Sequence, residues 1–271
     1  MIIYGRLLSA SLIFSALAAI SPVSAQTLRM GGTGAATEML RQIAPVFKAE
    51  TGIALDAVPS LGTSGGNSAV ADGVLGLSVA GRDLKEKETA KGLRVVATFR
   101  SPFGLATSRL GPDALQSNKI AELYRADKPL WPDGTPILIF LRPVDESDNL
   151  VLGELFPAMA DAIQHLRKRR DLTIAATDQD NAEIAEKTKG SLIGATLTQI
   201  MTEKRNLRFV SIDNVALTME NYENGSYPFE KTFYLVAPAE IGPEAASFLA
   251  FVATPAGTSL LRQTGILAGA K

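Results

Sequence analysis

Residues 27–50 read TLRMGGTGAATEMLRQIAPVFKAE, and a change of period within them decides the fold class. Thr27–Gly32 reads as a strand. From Ala36 to Glu50, Met39, Leu40, Ile43 and Phe47 recur at i, i+1, i+4 and i+8, which is a single apolar helical face. Thr51-Gly52 stops the helix, and residues 53–59 form the next strand. The pattern then repeats. Residues 61–66 open a short helix, 73–80 are an uncharged strand, 84–91 a charged helix and 93–108 a long strand. A second set follows: a helix at 119–124, a strand at 136–141 and one long helix at about 149–169. Strands are expected at 172–176, 191–197 and 207–212, with a helix near 182–187 between the first two. A last strand at 229–236 precedes two helices that flank Thr254-Pro255. Strands separated by helices of this length imply parallel βαβ units and an α/β fold with a doubly wound, mostly parallel sheet. Ligands of such sheets sit at the strand-to-helix turns beyond the carboxyl ends of the strands.

The first 25 residues are of another kind. Arg6 is their one charge, residues 7–20 are an apolar run broken only by small residues, and Val23-Ser24-Ala25 offers small residues at the positions a signal peptidase reads. Residues 1–25 are therefore expected to be a cleaved secretory signal, with Gln26 the first mature residue. The run is too short for a membrane span of roughly 20 apolar residues, and no other segment approaches that length. The expected product is soluble in the periplasm, with no stable membrane insertion.

The chain has 27 basic and 28 acidic residues. Without Arg6 the balance is near −2, so no basic excess is available to neutralise nucleic-acid phosphates. Cysteine is absent, which removes disulfides, thiolate nucleophiles, zinc–thiolate sites and a lipid anchor after the signal. With 46% hydrophobic residues, residues 26–271 suffice for one large domain or two lobes of about 100 residues each.

Three turns share one design. Gly31-Gly32-Thr33-Gly34-Ala35-Ala36-Thr37, Gly62-Thr63-Ser64-Gly65-Gly66-Asn67 and Arg142-Pro143-Val144-Asp145-Glu146-Ser147-Asp148-Asn149 each put small or hydroxyl residues at a helix start. Unpaired N–H groups and the positive end of the helix dipole point outward there. Taken singly, each turn reads equally as an ordinary cap, and Arg142 as an ion-pair partner. Three such turns in the expected topological places point to a binding site.

These residues carry a family resemblance. Residues 28–47, 62–66, Gly81-Arg82-Asp83-Leu84 and 142–147 resemble the phosphate-binding proteins of bacterial ABC uptake systems and, more broadly, type II periplasmic binding proteins. Leu123-Tyr124, Trp131, the glycine-rich stretch 190–194, residues 221–236 and the closing stretch 248–265 continue the likeness over nearly the whole mature chain. The resemblance implies two α/β lobes with a ligand clamped between them: lobe one from residues 26–104 and 215–271, lobe two from 105–214. Carried over by position, lobe one offers Thr33, Gly34, Ala35, Ala36, Thr63, Ser64 and Arg82, and lobe two offers Arg142 and Ser147. An arginine fork with hydroxyl and N–H donors suits a tetrahedral oxyanion. The chain departs from the phosphate binders twice. Gly81 stands where they carry an aspartate that accepts the phosphate proton. Asp145, Glu146 and Asp148 surround Ser147 where they are glycine-rich, and these carboxylates would repel an anion or occupy Arg142 themselves.

Other candidates have plainer readings. His165 is the one histidine and reads as a solvated helix end, so neither a catalytic triad nor a His-based metal site is expected. Asp178-Gln179-Asp180-Asn181 reads as an N-cap, with cleft lining the other option. Residues 167–170 suit a helix C-terminus, and residues 222–227 read as a turn. The expected function is capture of a small ligand, phosphate or a related oxyanion, for an ABC permease. The alternative is a sensory or accessory protein reporting to a membrane receptor. No catalysis, cofactor or metal is expected.

Overall fold

The computed structural model describes residues 26–269 apart from residue 112, so the expected signal segment lies outside the described residues. The chain begins β1 (Thr27–Gly32), α1 (Thr37–Thr51), β2 (Ala54–Ala57), α2 (Gly62–Ala71), β3 (Leu77–Ala80), α3 (Glu86–Thr89) and β4 (Arg94–Thr107). It continues through β5 (Ala114–Leu115), α4 (Ile120–Arg125), β6 (Leu138–Leu141), α5 (Ser147–Leu155), α6 (Met159–Leu166), β7 (Thr173–Ile174), α7 (Asp178–Lys187) and β8 (Ser191–Thr196). The last elements are α8 (Leu197–Thr202), β9 (Arg208–Phe209), β10 (Ser211–Ile212), α9 (Met219–Glu223), β11 (Glu230–Ala237), α10 (Pro243–Val252), α11 (Pro255–Gln263) and β12 (Leu267–Ala268).

Strand order is β2-β1-β3-β11-β4-β8-β6-β7, with β9 and β12 also on β4. β2, β1 and β3 pair in parallel, as do β8, β6 and β7. β11 and β4 join the two parallel groups through antiparallel pairs. The strand β4 belongs to both groups: its residues 94–102 pair with β11, and residues 103–106 with β8.

Burial follows the same division. One apolar cluster gathers Met30, Leu40, Phe47 and Val79 with Phe233, Leu235, Phe248 and Leu261. A second gathers Phe103, Leu105, Trp131, Ile139, Phe156 and Leu192. Leu217 and Tyr227 are members of the second cluster. In α1 the residues that form the buried face are those with helical spacing, Met39, Leu40, Ile43 and Phe47; Gly52 then ends the helix in the left-handed region (φ 76°) with its N–H on Lys48 O.

Several elements differ from expectation. The single helix at 149–169 is two, because Pro157 has no N–H to continue the ladder and Ala158 turns into the left-handed region (φ 58°) between α5 and α6. The strand at 207–212 is also two: β9 pairs with β4, and β10 with β5 in a separate sheet. Residues 219–223 form α9, capped by Thr218, and the turn expected at 222–227 follows it over 224–227.

Among the described residues no single helix is long and apolar enough to cross a membrane. α10 and α11 pass that test only as a pair bent by 76°, and Phe248, Phe251 and Leu261 of the pair lie in the first core.

Candidate functional site

The turn after β1 is held in place by its own backbone. Thr33 N–H donates to Val79 O at the end of β3 (2.8 Å), and Ala36 N–H turns back to Thr33 O (3.2 Å). Ala35 N–H is left to point across to the second half of the molecule. There it donates to Asp178 Oδ2 (3.0 Å), and the Thr33 hydroxyl donates to the same oxygen (3.3 Å).

Asp178 opens α7, but it is not the cap. Thr177 accepts Asp180 N–H on its hydroxyl and donates its own N–H to Asp180 Oδ2, a reciprocal pair of 3.0 Å bonds. That frees the Asp178 side chain. Its second oxygen, Oδ1, accepts from Arg142 Nε at 3.1 Å. Arg142 follows β6, is 3% exposed, donates from Nη1 to Ala175 O (2.6 Å) and pairs more loosely through Nη2 with Glu146 Oε2 (3.5 Å). Gln179 reaches across beside it, donating to Gly34 O (2.9 Å). A Cβ at residue 34 would stand 2.6 Å from Gln179 Oε1 and 2.7 Å from Asp178 Oδ2, so this contact requires glycine.

A second junction lies at Gly81. Its N–H donates to the Thr63 hydroxyl (2.9 Å). Ser147, at the start of α5, packs so closely on Gly81 that a Cβ there would collide with its Oγ. Next to it Asp148 forms a buried ion pair with Lys231 of β11. Burial pushes the Asp148 carboxyl up from its ordinary value against the pull of the Lys231 ammonium. Burial likewise raises Glu146, opposed by Arg142.

Arg82 and Ser64 adjoin the second junction, next in sequence to Gly81 and Thr63, but bond elsewhere. Arg82 forks onto Glu88 (2.8 and 2.9 Å) and donates to Ser64 Oγ (3.0 Å). These bonds, led by that from Arg82, lower the Glu88 carboxyl to about 2.

Of the nine residues expected at the site, Thr33, Gly34, Ala35 and Arg142 therefore meet around one carboxylate. Thr63 and Ser147 meet at Gly81, Ala36 N–H is used within its own turn, and Ser64 and Arg82 belong to a local ion pair. A cleft of about 1030 Å³, lined by Thr37, Pro59, Ser60, Thr177, Gln179 and Lys204 among others, opens beside the first junction; neither Arg142 nor Ser147 lines it. Among the described residues no group of three acidic, His or Cys side chains could hold a metal ion.

The sequence left Asp178 between an N-cap and the cleft lining, and gave no role to Lys231. A signal existed for each. Asp178 follows a strand and opens a helix, where ligands of parallel sheets bind. Lys231 alternates with Phe233 and Leu235 on the buried face of β11, and a buried ammonium requires a partner.

The profile of the PBP superfamily domain matches residues 18–256. The chain belongs to that superfamily. Its fold is the two-lobed α/β fold of periplasmic binding proteins. A Clostridium perfringens structure described as a phosphate ABC transporter substrate-binding protein with bound phosphate superposes with a TM-score of 0.76 at 19% identity, covering 91% of this chain and all of the other. An ABC-type phosphate transport receptor from Vibrio cholerae gives 0.59 at 12% identity, covering 89% and 99%. The periplasmic molybdate-binding protein of Azotobacter vinelandii gives 0.58 at 13% identity, covering 89% and 98%. Comparison with curated proteins finds no match. These structural relatives are described as substrate-binding, receptor and molybdate-binding proteins.

Proposed function

We propose that this PBP-superfamily protein is exported by cleavage of residues 1–25 and captures a small oxyanion or carboxylate between its lobes for an ABC permease. The first lobe is formed by the chain up to about residue 102 and again from β11 onward, with the second lobe between. The observation that carries the reading is the convergence on one carboxylate of Ala35 N–H and the Thr33 hydroxyl from one lobe and Arg142 Nε from the other. Fixed N–H, hydroxyl and guanidinium donors around one point favour an anion, and charge-assisted bonds of this kind are roughly twice as strong as neutral ones. The bound phosphate of the Clostridium perfringens structure supports an anion as the ligand class. The test is a thermal-shift screen with phosphate, sulfate, molybdate, formate and acetate. A ligand at 100 times its Kd adds about 2.7 kcal/mol of stability, so the melting temperature should rise, and Arg142→Ala should abolish the rise. If no anion shifts the melt, either in the wild type or in a variant lacking the Asp178 carboxylate, the reading fails.

A second reading rests on a different observation. Each nitrogen of the Arg142 guanidinium has a partner within the protein: Nε on Asp178, Nη1 on Ala175 O and Nη2, more loosely, on Glu146. A cleft held in one state suits a sensory or accessory protein that presents that state to a membrane receptor.

A further inference from the structure

We infer that this protein is self-liganded: Asp178 is a built-in occupant of the anion seat, closing the lobes without solute and competing with any external anion. The inference rests on the proposal that the seat takes an anion, and it adds what governs access to that seat. Asp178 belongs to α7 and is tethered beside Arg142, its partner within the second lobe. Its other oxygen takes the two donors that the first lobe presents. A carboxylate that accepts hydrogen bonds from both lobes makes the contacts by which a bridging solute would hold them together.

Two further contacts point the same way. Gln179, the next residue, donates to Gly34 O in the first lobe. At the second junction Ser147 fills the space over Gly81, and Asp148 is tied to Lys231. Gly81 is what permits the close approach, since any side chain there would hold Ser147 away. With glycine at residue 81, the space an aspartate would fill is taken by Ser147 of the second lobe. A tethered carboxylate acts at a high effective concentration, on the order of millimolar even for flexible tethers and set by geometry. An external anion must exceed that threshold or bring contacts that Asp178 lacks.

Two measurements test this. Small-angle scattering of the wild type, dialysed free of small anions, should fit the closed form. Asp178→Asn, which keeps the shape and removes the charge, should expand it. A wild type that is already open without anion would overturn the inference. Calorimetry with formate, acetate and phosphate should then show Asp178→Ala binding formate at least about tenfold more tightly than the wild type. Formate restores the carboxylate that was removed, so it should also return the scattering to the closed form; Asp178→Ala combined with Arg142→Ala should do neither. Equal affinity in wild type and Asp178→Ala would overturn self-liganding and leave the anion site standing. Absence of binding in both would overturn the site itself. Should Asp178→Ala fail to fold, Asp178→Asn and the wild-type scattering still decide the question.

Discussion

Arg82 and Arg142 carry the same charge at similar turns and do different things, because of the acids that meet them. Glu88 receives Arg82, the Lys85 N–H and Asn67, and these bonds hold its carboxyl down at about 2. A carboxyl lowered in the folded state adds stability that is fully present above its unfolded value, near 4.5, and is lost as pH falls toward 2. Lowering the pH from 6 to 3 should therefore cost the wild type roughly 1–2 kcal/mol more than it costs Glu88→Gln, as read from urea unfolding. Other carboxylates titrate in both proteins and cancel in the comparison. Both arginines were visible in the sequence as cations beside helix starts, but their partners were not. Glu88 lies six residues from Arg82, whereas Asp178 lies thirty-six from Arg142. Only the folded sheet brings β6 and the start of α7 side by side. The same holds for Lys231 and Asp148, which pair across 83 residues of sequence.

Elements were legible where the signal was local. The apolar face of α1 and its glycine stop, and the Thr254-Pro255 start of α11, depend on neighbours within a turn or two, and the structure shows both. The stretch from 149 to 169 misled because its apolar residues keep helical spacing across Pro157. Ala158 holds a left-handed conformation there that favours glycine (φ 58°). Ala158→Gly should relieve that cost and stabilise the protein by up to about 1 kcal/mol in thermal or urea unfolding. A destabilised variant would mean that the Ala158 methyl packs to an advantage greater than its backbone cost. The cap of α7 is a further case. Sequence pattern alone could not divide Asp178, Gln179 and Asp180 between capping and the cleft, because all three are acceptors within one helical turn. The Thr177–Asp180 pair settles that division.

At the scale of the whole molecule, the first core is built from both ends of the chain. Met30, Phe47 and Val79 come early, while Phe233, Phe248 and Leu261 come from the last elements. A chain ended at Gly225 would lack β11, α10 and α11. Its first half should then be degraded quickly in limited proteolysis under conditions where the full chain resists. The second core, drawn from 103–227, lies between those two contributions. Synthesis runs in one direction, from the amino end. The amino-terminal segment therefore emerges without the residues that cover it, and β4 waits for its β11 partner until the middle of the chain has been made. The lobe that begins the molecule is the one that must be finished last, and up to that moment its apolar strands are open to whatever carries or holds a growing chain.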